Sequence, residues 1–185
     1  MAGQTAPEAA SAVRTIPVTA LLSALWLFGV LAAALVQGGG YLLARRRLLR
    51  DARPDLEAEE RAGQTAASLG LKRTVPVRRS RQVRTPMVLG LIRPVLLLPE
   101  GQAVDEVVLC HELTHLKRMD LAYKALLVAA CWLHWFNPLV WWMSRAASEN
   151  LELCCDDDVA AGRDAAFRRK YGELLLSTAE EKPGP

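Results

Sequence analysis

One uncharged, apolar segment near the amino terminus constrains the fold of this chain more than any other feature. No charged residue occurs between Thr15 and Ala44, and the most apolar part is Val18–Val36. About 20 helical residues cross the roughly 30 Å hydrocarbon core of a bilayer, so this segment is long enough to span it. The glycines Gly38–Gly40 follow, and we expect them to end or bend the helix. The segment therefore predicts a transmembrane anchor.

Basic residues on one side of the anchor predict its orientation. Arg14 alone precedes it, whereas four arginines follow: Arg45, Arg46, Arg47 and Arg50. The positive-inside rule then places the amino terminus outside the inner cell membrane and the rest in the cytoplasm. A cleaved signal peptide is the alternative, but its apolar region is usually only about 7–15 residues long and follows a basic stretch. We therefore expect an unstructured tail over residues 1–14, a tail-and-anchor region over 1–50 and a domain over 51–185.

The composition of the whole chain excludes several classes of protein. Hydrophobic residues make up 51% and charged residues 23%, which argues against a disordered chain. The net charge of +3 is too small to indicate nucleic-acid binding, and we expect none. The four cysteines show no CxxC spacing and no disulfide framework, so we expect reduced thiols facing the cytosol.

Local patterns in the middle of the chain predict an α+β domain. The predicted elements, in order, are a helix over Pro54–Leu69, strands at Val75–Val77, Met87–Leu91 and Val95–Leu98, and a helix from Asp105 to Lys117. The strand at Val95–Leu98 has two interpretations. It is either a core strand or an exposed edge that binds an extended substrate by strand addition.

A second uncharged segment, Ala125–Ser144, predicts a helical hairpin over residues 121–144. It contains the helix-breaking pair Asn137-Pro138 and four of the five tryptophans of the chain. Basic residues flank it on both sides, which favours a re-entrant or interfacial hairpin over a full crossing of the membrane. Burial of the tryptophans in a protein core is the alternative. A short helix over residues 165–178 is predicted to follow.

The pattern HExxH at His111–His115 points to a metal site. Residues four apart share one face of a helix, so His111 and His115 can both bind one Zn²⁺, and Glu112 can reach a water at the ion. Zinc polarises a peptide carbonyl and makes the water more acidic, while Glu112 takes up its proton. The pattern therefore predicts a zinc-dependent peptidase with Glu112 as its catalytic base.

A catalytic zinc needs a third protein ligand and one open position. Residues 119–121 contain no histidine, so a carboxylate is expected. Three downstream carboxylates share one helix face: Glu149, Glu152 and Asp156. We expect Glu152 to bind the metal and Asp156 to orient one of the histidines.

Four ordered blocks resemble one known family, the BlaR/MecR membrane zinc peptidases of the gluzincin type. The blocks are TPMVLGLIRPVLLLP at 85–99, HELTHLKRMD at 111–120, HWFNPLVW at 134–141 and ELCCD at 152–156. The resemblance implies that His111, His115 and Glu152 bind one zinc ion, that Glu112 is the base and that Asp156 is the matching acidic residue. It also implies a zincin-like fold and regulated proteolysis at the inner face of the membrane. The implied substrate is a transcriptional repressor or the protein itself.

The chain departs from this family in ways that leave alternatives open. Known sensors have several spans and an extracellular penicillin-binding domain, neither of which is visible here, so antibiotic sensing is not carried over. The alternatives are a catalytically silent membrane subunit, which intact Glu112 argues against, and a structural zinc site, which needs four ligands. His134 has two interpretations, an oxyanion-stabilising group or a core or interfacial residue. We expect the bilayer and a protein substrate as partners, and a homodimer is a further option.

Overall fold

A computed structural model describes residues 17–180, with side chains described up to residue 176. The predicted tail over residues 1–14 lies outside this range. The described chain is mostly helical, with one small mixed sheet whose strands all lie between the first and the third helix along the chain. This arrangement confirms a domain that is mainly helical with a small sheet.

Helix α1, Val18–Arg50, is longer than the sequence predicts. It continues through Gly38–Gly40, so these glycines do not end the helix, and the alternative that they bend it stays a prediction. A glycine costs a helix only about 1 kcal/mol relative to alanine, whereas freeing backbone groups in an apolar environment costs several kcal/mol for each group. No residue of α1 is buried in the protein. Among residues 17–180 it is the one helix that could cross a membrane by its length and composition.

Helix α2, Leu56–Ser68, begins and ends where local chemistry predicts. The Asp55 carboxylate caps it by accepting a hydrogen bond from the Ala58 N–H at 3.1 Å. Gly70, with φ of +77°, follows its end in the left-handed conformation that glycine adopts without strain. Pro54, predicted to lie in the first turn of this helix, belongs instead to the preceding short strand.

The sheet has four strands, in the order β1-β2-β4-β3. They are β1, Arg53–Pro54; β2, Val77–Ser80; β3, Met87–Leu89; and β4, Val95–Pro99. Strand β4 pairs in parallel with β2 and antiparallel with β3, so it lies inside the sheet. The interpretation of Val95–Leu98 as an edge that binds substrate is therefore wrong, and the core interpretation is confirmed. The exposed edge next to β4 belongs to β3.

The main hydrophobic core places the next helix, α3, against this sheet. Helix α3 is Glu106–Lys117, and the Asp105 carboxylate caps it through the Val107 N–H at 3.0 Å. The core includes small residues of α2, strand residues and two leucines of α3, among them Ala58, Ala62, Ala66, Val77, Leu96, Leu98, Leu109 and Leu113. Leu109 and Leu113 hold α3 on this buried face, and the two histidines of HExxH contact the helices that follow.

Three further helices complete the fold: α4, Asp120–Leu133; α5, Pro138–Ala160; and α6, Ala165–Glu180. Helices α4 and α5 are joined by the four-residue turn His134–Asn137 and contact each other. The Asn137 side chain caps α5 by accepting from the Leu139 N–H at 3.0 Å, and Pro138 occupies the first turn. The pair Asn137-Pro138 therefore starts a helix within the predicted segment 121–144.

The turn between α4 and α5 lies against the apolar part of α1. The Trp26 indole N–H donates to the Leu133 carbonyl oxygen at 3.0 Å. Gly29 lies directly beneath the Trp135 ring, where any side chain would collide with the indole. Near the other end of α1, the Gln82 amide donates to the Asp51 carboxylate at 2.7 Å. Helix α1 is thus joined to the rest of the chain near both of its ends.

Candidate metal centre

The two histidines of HExxH face each other on α3. His111 and His115 are one helical turn apart, and their Nε2 atoms are 3.2 Å from each other. The rings meet edge to face, at an interplanar angle of 87°. His115 is buried and His111 is partly buried. The spacing of one helical turn is what brings the two Nε2 atoms close together.

Helix α5 brings Glu152, the predicted third metal ligand, close to His115. Its Oε2 atom is 3.2 Å from His115 Nε2. Two ligands bound tetrahedrally to Zn²⁺ at about 2.0–2.1 Å are about 3.3 Å apart, so both measured separations fit such an ion. The set of two imidazoles and one carboxylate is also a known donor set for catalytic zinc. These three side chains could hold one zinc ion.

His115 is oriented from behind by Asp120, at the start of α4. The His115 Nδ1 atom is 2.8 Å from Asp120 Oδ2, and the Asp120 side chain is almost fully buried. Met119 makes this possible because its φ of +60° turns the chain sharply between α3 and α4. A hydrogen bond from Nδ1–H to a carboxylate fixes the tautomer and leaves the Nε2 lone pair free for a metal.

His111 is oriented in the same way, but through an intermediate side chain. Its Nδ1 atom is 2.8 Å from the Tyr171 hydroxyl oxygen, and this hydroxyl donates to Asp156 Oδ1 at 2.5 Å. Asp156 Oδ1 is itself 3.3 Å from His111 Nδ1. The structure thus brings Asp156 to a histidine, as the sequence predicts for its role. Each histidine has a carboxylate behind it, reached directly for His115 and largely through Tyr171 for His111.

Sequence reasoning missed both Asp120 and Tyr171 as parts of the site. Asp120 has a weak local signal, since it lies five residues after His115 and just beyond the end of α3. Tyr171 has none, because it lies on α6, and only the packing of that helix brings it to His111. Buried polar side chains need partners, and these two provide them for the histidine pair.

Cys155 is an alternative third donor. His111, His115 and Cys155 offer ligand atoms that all lie within 4.8 Å of one another, and Cys155 is fully buried. Its sulfur, however, is 4.0 Å from His111 Nδ1 and 3.7 Å from the His111 carbonyl oxygen. The thiol also contacts His115, so it lies within reach of both imidazoles. Glu152 contacts the Nε2 atom of His115, which faces His111 Nε2, whereas the Cys155 sulfur contacts His111 through Nδ1.

The electrostatics of the site favour a positive charge at His115. Burial by itself lowers the pKa of His115, but hydrogen bonds with Cys155, Glu152 and Asp120 outweigh it and raise this pKa to about 11. The hydrogen bond with His115, opposed by partial burial and aided by Lys124, lowers the pKa of Glu152 to about 2. A proton at His115 thus occupies surroundings that suit a cation, and a metal ion must displace that proton.

Glu112 has the opposite electrostatic character. Burial raises its pKa to about 7, and the nearby charge of Glu152 contributes to the increase. The Val88 backbone N–H of strand β3 donates to this carboxylate, which partly offsets the shift. A carboxylate with a pKa near neutrality is well suited to accept and return a proton. Glu112 follows His111 directly on α3 and contacts the exposed edge strand β3 at Val88.

Two other predicted residues lie away from the histidine pair. Glu149 is exposed and pairs with Arg145 along α5 at 3.4 Å. His134 lies in the α4–α5 turn beside Phe136. It is separated from Asp120 by the length of α4, about 20 Å. This position does not support an oxyanion-stabilising role for His134, and its interfacial role stays a prediction.

Comparisons with known proteins find one matching family and several relatives. The family model described as BlaR1 peptidase M56 matches residues 2–185. The regulatory protein BlaR1 of Bacillus licheniformis is 39% identical over 103 residues, which cover 53% of this chain and 17% of that protein. The methicillin resistance mecR1 protein of Staphylococcus aureus is 28% identical over 111 residues, covering 57% of this chain and 19% of its own length. The matched region is thus less than a fifth of each of these relatives.

Proposed function

Because this chain belongs to the BlaR1 peptidase M56 family, we propose that it is a membrane-anchored zinc endopeptidase that performs regulated proteolysis at the cytoplasmic face. One observation carries the proposal: His115 Nε2 lies 3.2 Å both from His111 Nε2 and from Glu152 Oε2. Two histidines with one carboxylate leave one position open, which suits catalysis better than a structural site. The proposed fold is zincin-like, with the zinc ion as its one cofactor.

The side chains of the site divide the chemistry among them. When bound, zinc supplies a Lewis acid for the scissile carbonyl and makes a nearby water more acidic. Glu112 accepts the proton of that water and returns it to the leaving amine. Asp120 and Tyr171 hold the two imidazoles in the tautomer that binds the metal. The burial of Glu112 keeps its pKa close to the pH at which both proton transfers proceed.

The edge of the sheet beside Glu112 supports a protein substrate. Strand β3 pairs with β4 on one side only, so its other edge offers backbone groups to an extended peptide. The Val88 N–H on β3 contacts Glu112, which places the base next to that edge. A peptide added there would carry its carbonyl groups past Glu112 and the histidine pair. The proposed substrates are a transcriptional repressor or a second copy of this protein.

The placement of the α4–α5 turn supports association with the bilayer. The turn contacts α1 at Trp26 and Gly29, within the apolar part of the proposed anchor. Around it, several large apolar side chains are exposed: Leu133, Phe136, Leu139, Trp141, Trp142 and Met143. Apolar patches of this kind mark contact with another protein or a membrane. We propose that residues 121–144 form a hairpin that enters the cytoplasmic half of the bilayer, with residues 51–185 as the peptidase domain.

Metal analysis combined with a cleavage assay tests the proposed activity. The full chain, purified in detergent, is expected to contain one zinc ion and to cleave a co-expressed repressor candidate. Glu112→Gln is expected to retain zinc and to lose activity by about 10²–10⁴-fold, because only the proton acceptor is removed. Equal activity in this variant would rule out the mechanism. Zinc binding without cleavage in the unmodified chain would favour the silent subunit.

Labelling of Cys154 tests the orientation. Cys154 is the exposed cysteine, whereas Cys110, Cys131 and Cys155 are buried. A maleimide that does not cross membranes is expected to label Cys154 in inside-out vesicles but not in intact cells. Cys154→Ser is the matched control for reaction at the buried thiols. Labelling in intact cells would place the domain outside.

A further inference from the structure

Lys124 contacts the proposed zinc ligand Glu152 from the side opposite the histidines. Its Nζ atom is 2.7 Å from Glu152 Oε1, whereas Glu152 Oε2 is 3.2 Å from His115 Nε2. The two oxygens of one carboxylate thus have different partners, a cation outside and an imidazole inside. The two side chains of the ion pair are 40% and 46% exposed.

The position of Lys124 in the fold matches that of Asp120. Both residues belong to α4 and are four apart, so they lie on one face of that helix. Asp120 supports His115, and Lys124 supports Glu152. One face of α4 therefore supplies the outer partners of two of the three proposed ligands. An exposed ion pair without such a role adds little to stability.

We propose that Lys124 is a positioning residue that makes Glu152 bind the metal through Oε2 alone. A carboxylate binds a metal with one oxygen or with both. By holding Oε1, Lys124 keeps the second oxygen away from the ion and leaves a coordination position for the substrate, as a catalytic site requires. This inference rests on the proposed function, because it assigns Glu152 to the metal.

The effects of removing Lys124 follow from this geometry. Without the lysine, Oε1 is free to turn toward the ion, and a nearby positive charge that repels a dication is lost. The affinity for zinc is therefore expected to stay equal to that of the unmodified chain or to rise. The kcat is expected to fall by about 10–100-fold, the range typical for partners of metal ligands. A residue that merely stabilised the fold would lower affinity and activity together.

Cobalt substitution of the full chain in detergent is the experiment. Co²⁺ replaces zinc, and its visible absorption becomes weaker as the coordination number increases. Lys124→Met is expected to show weaker absorption than the unmodified chain, together with undiminished zinc affinity and a reduced kcat. Lys124→Arg retains the charge and is expected to keep the original absorption. Lys117→Met is the matched control, because Lys117 is exposed at the end of α3.

The results for Lys124→Met either support or overturn the positioning role of Lys124. An unchanged cobalt spectrum in Lys124→Met, or a loss of zinc affinity parallel to the loss of activity, overturns it. If Lys124→Met does not fold by circular dichroism, Lys124→Gln is compared with Lys124→Arg by the same criteria. Glu152→Ala separates this inference from the proposed function. If that variant binds cobalt as the unmodified chain does, Glu152 is not a ligand and the proposed metal site itself is wrong.

Discussion

The two halves of helix α5 differ in the kinds of side chain that they present. Its first half exposes large apolar side chains, with Trp142 at 69% and Met143 at 62% exposure. Its second half carries Glu152 toward the histidines, and Cys155 is fully buried there. A cluster of exposed large apolar side chains is informative about function. One helix thus joins a surface suited to an apolar environment to a site suited to a cation.

The contacts of the two halves also differ in kind. Around the second half, hydrogen bonds and ion pairs dominate, and Arg118 joins α3 to α5 by donating to Asp120 and to the Cys154 carbonyl oxygen. At the turn before the first half, the contact depends on shape, because the Trp135 ring fits above Gly29. Polar networks fail when one partner is removed, whereas apolar contacts fail when their shape changes.

The largest effect on metal binding is expected in the second half of α5, from Glu152→Ala. Removing a ligand should weaken zinc binding by more than the roughly 10–100-fold typical for the partners of ligands. Cys155→Ala, three residues further along α5, is expected to keep the metal. Competition with a chromophoric zinc chelator measures both affinities. Full zinc occupancy in Glu152→Ala would refute its assignment as the third ligand.

A smaller loss is expected when the support of the histidines is removed. Asp120→Asn leaves His115 without its carboxylate and should reduce zinc affinity by about 10–100-fold. Tyr171→Phe should have an effect at the low end of this range, because Asp156 remains 3.3 Å from His111 Nδ1. Isothermal titration with zinc measures the two variants. A larger loss in Tyr171→Phe than in Asp120→Asn would reverse the proposed order of support.

The buried carboxylate Glu112 predicts a pH-dependent stability of the metal-free protein. Burial raises its pKa to about 7 from 4.5. A group whose pKa is raised on folding contributes stability below its unfolded pKa and loses it as the pH rises through the folded value. Glu112→Gln should therefore match the unmodified chain at pH 4 and be more stable at pH 8, by roughly 1–3 kcal/mol. Urea unfolding after treatment with a chelator measures this, and an equal stability difference at both pH values would contradict it.

The contact between α1 and the turn before α5 predicts an effect that depends only on the shape of the side chains. Gly29→Leu places a side chain in the space of the Trp135 ring and should destabilise the contact between α1 and the turn by about 1–3 kcal/mol. Gly38→Leu adds the same side chain to the same helix where no atom lies within 4 Å, and it is the matched control. Thermal unfolding in detergent micelles compares the two. Equal destabilisation would show that the contact at Gly29 does not matter.

Much of this molecule could be predicted from local sequence signals. The apolar segment at Val18–Val36, the HExxH helix begun by Asp105 and the downstream Glu152 all depend on patterns within a few turns of helix. Such patterns report which residues share a face, because the periods of helices and strands are fixed by backbone geometry. For this reason the sequence alone predicts that His111 and His115 share one helix face, where their Nε2 atoms are 3.2 Å apart.

Other features depend on which segments meet, and no local pattern reports that. Strand β4 is an inner strand because β3 covers one side of it and β2 the other. Helix α1 continues through Gly38–Gly40 because the intrinsic preference of glycine is weak beside the need to satisfy backbone hydrogen bonds.

The sequence by itself determined the long apolar helix, the small sheet, the chemistry of HExxH and the carboxylates that could join it. Only the tertiary structure decided that Asp120, Tyr171 and Lys124 surround the proposed ligands, and that Trp135 lies over Gly29. The physical reason is distance along the chain. Side chains a turn apart are placed by the helix itself, whereas Tyr171 reaches His111 only because the helices that carry them pack together.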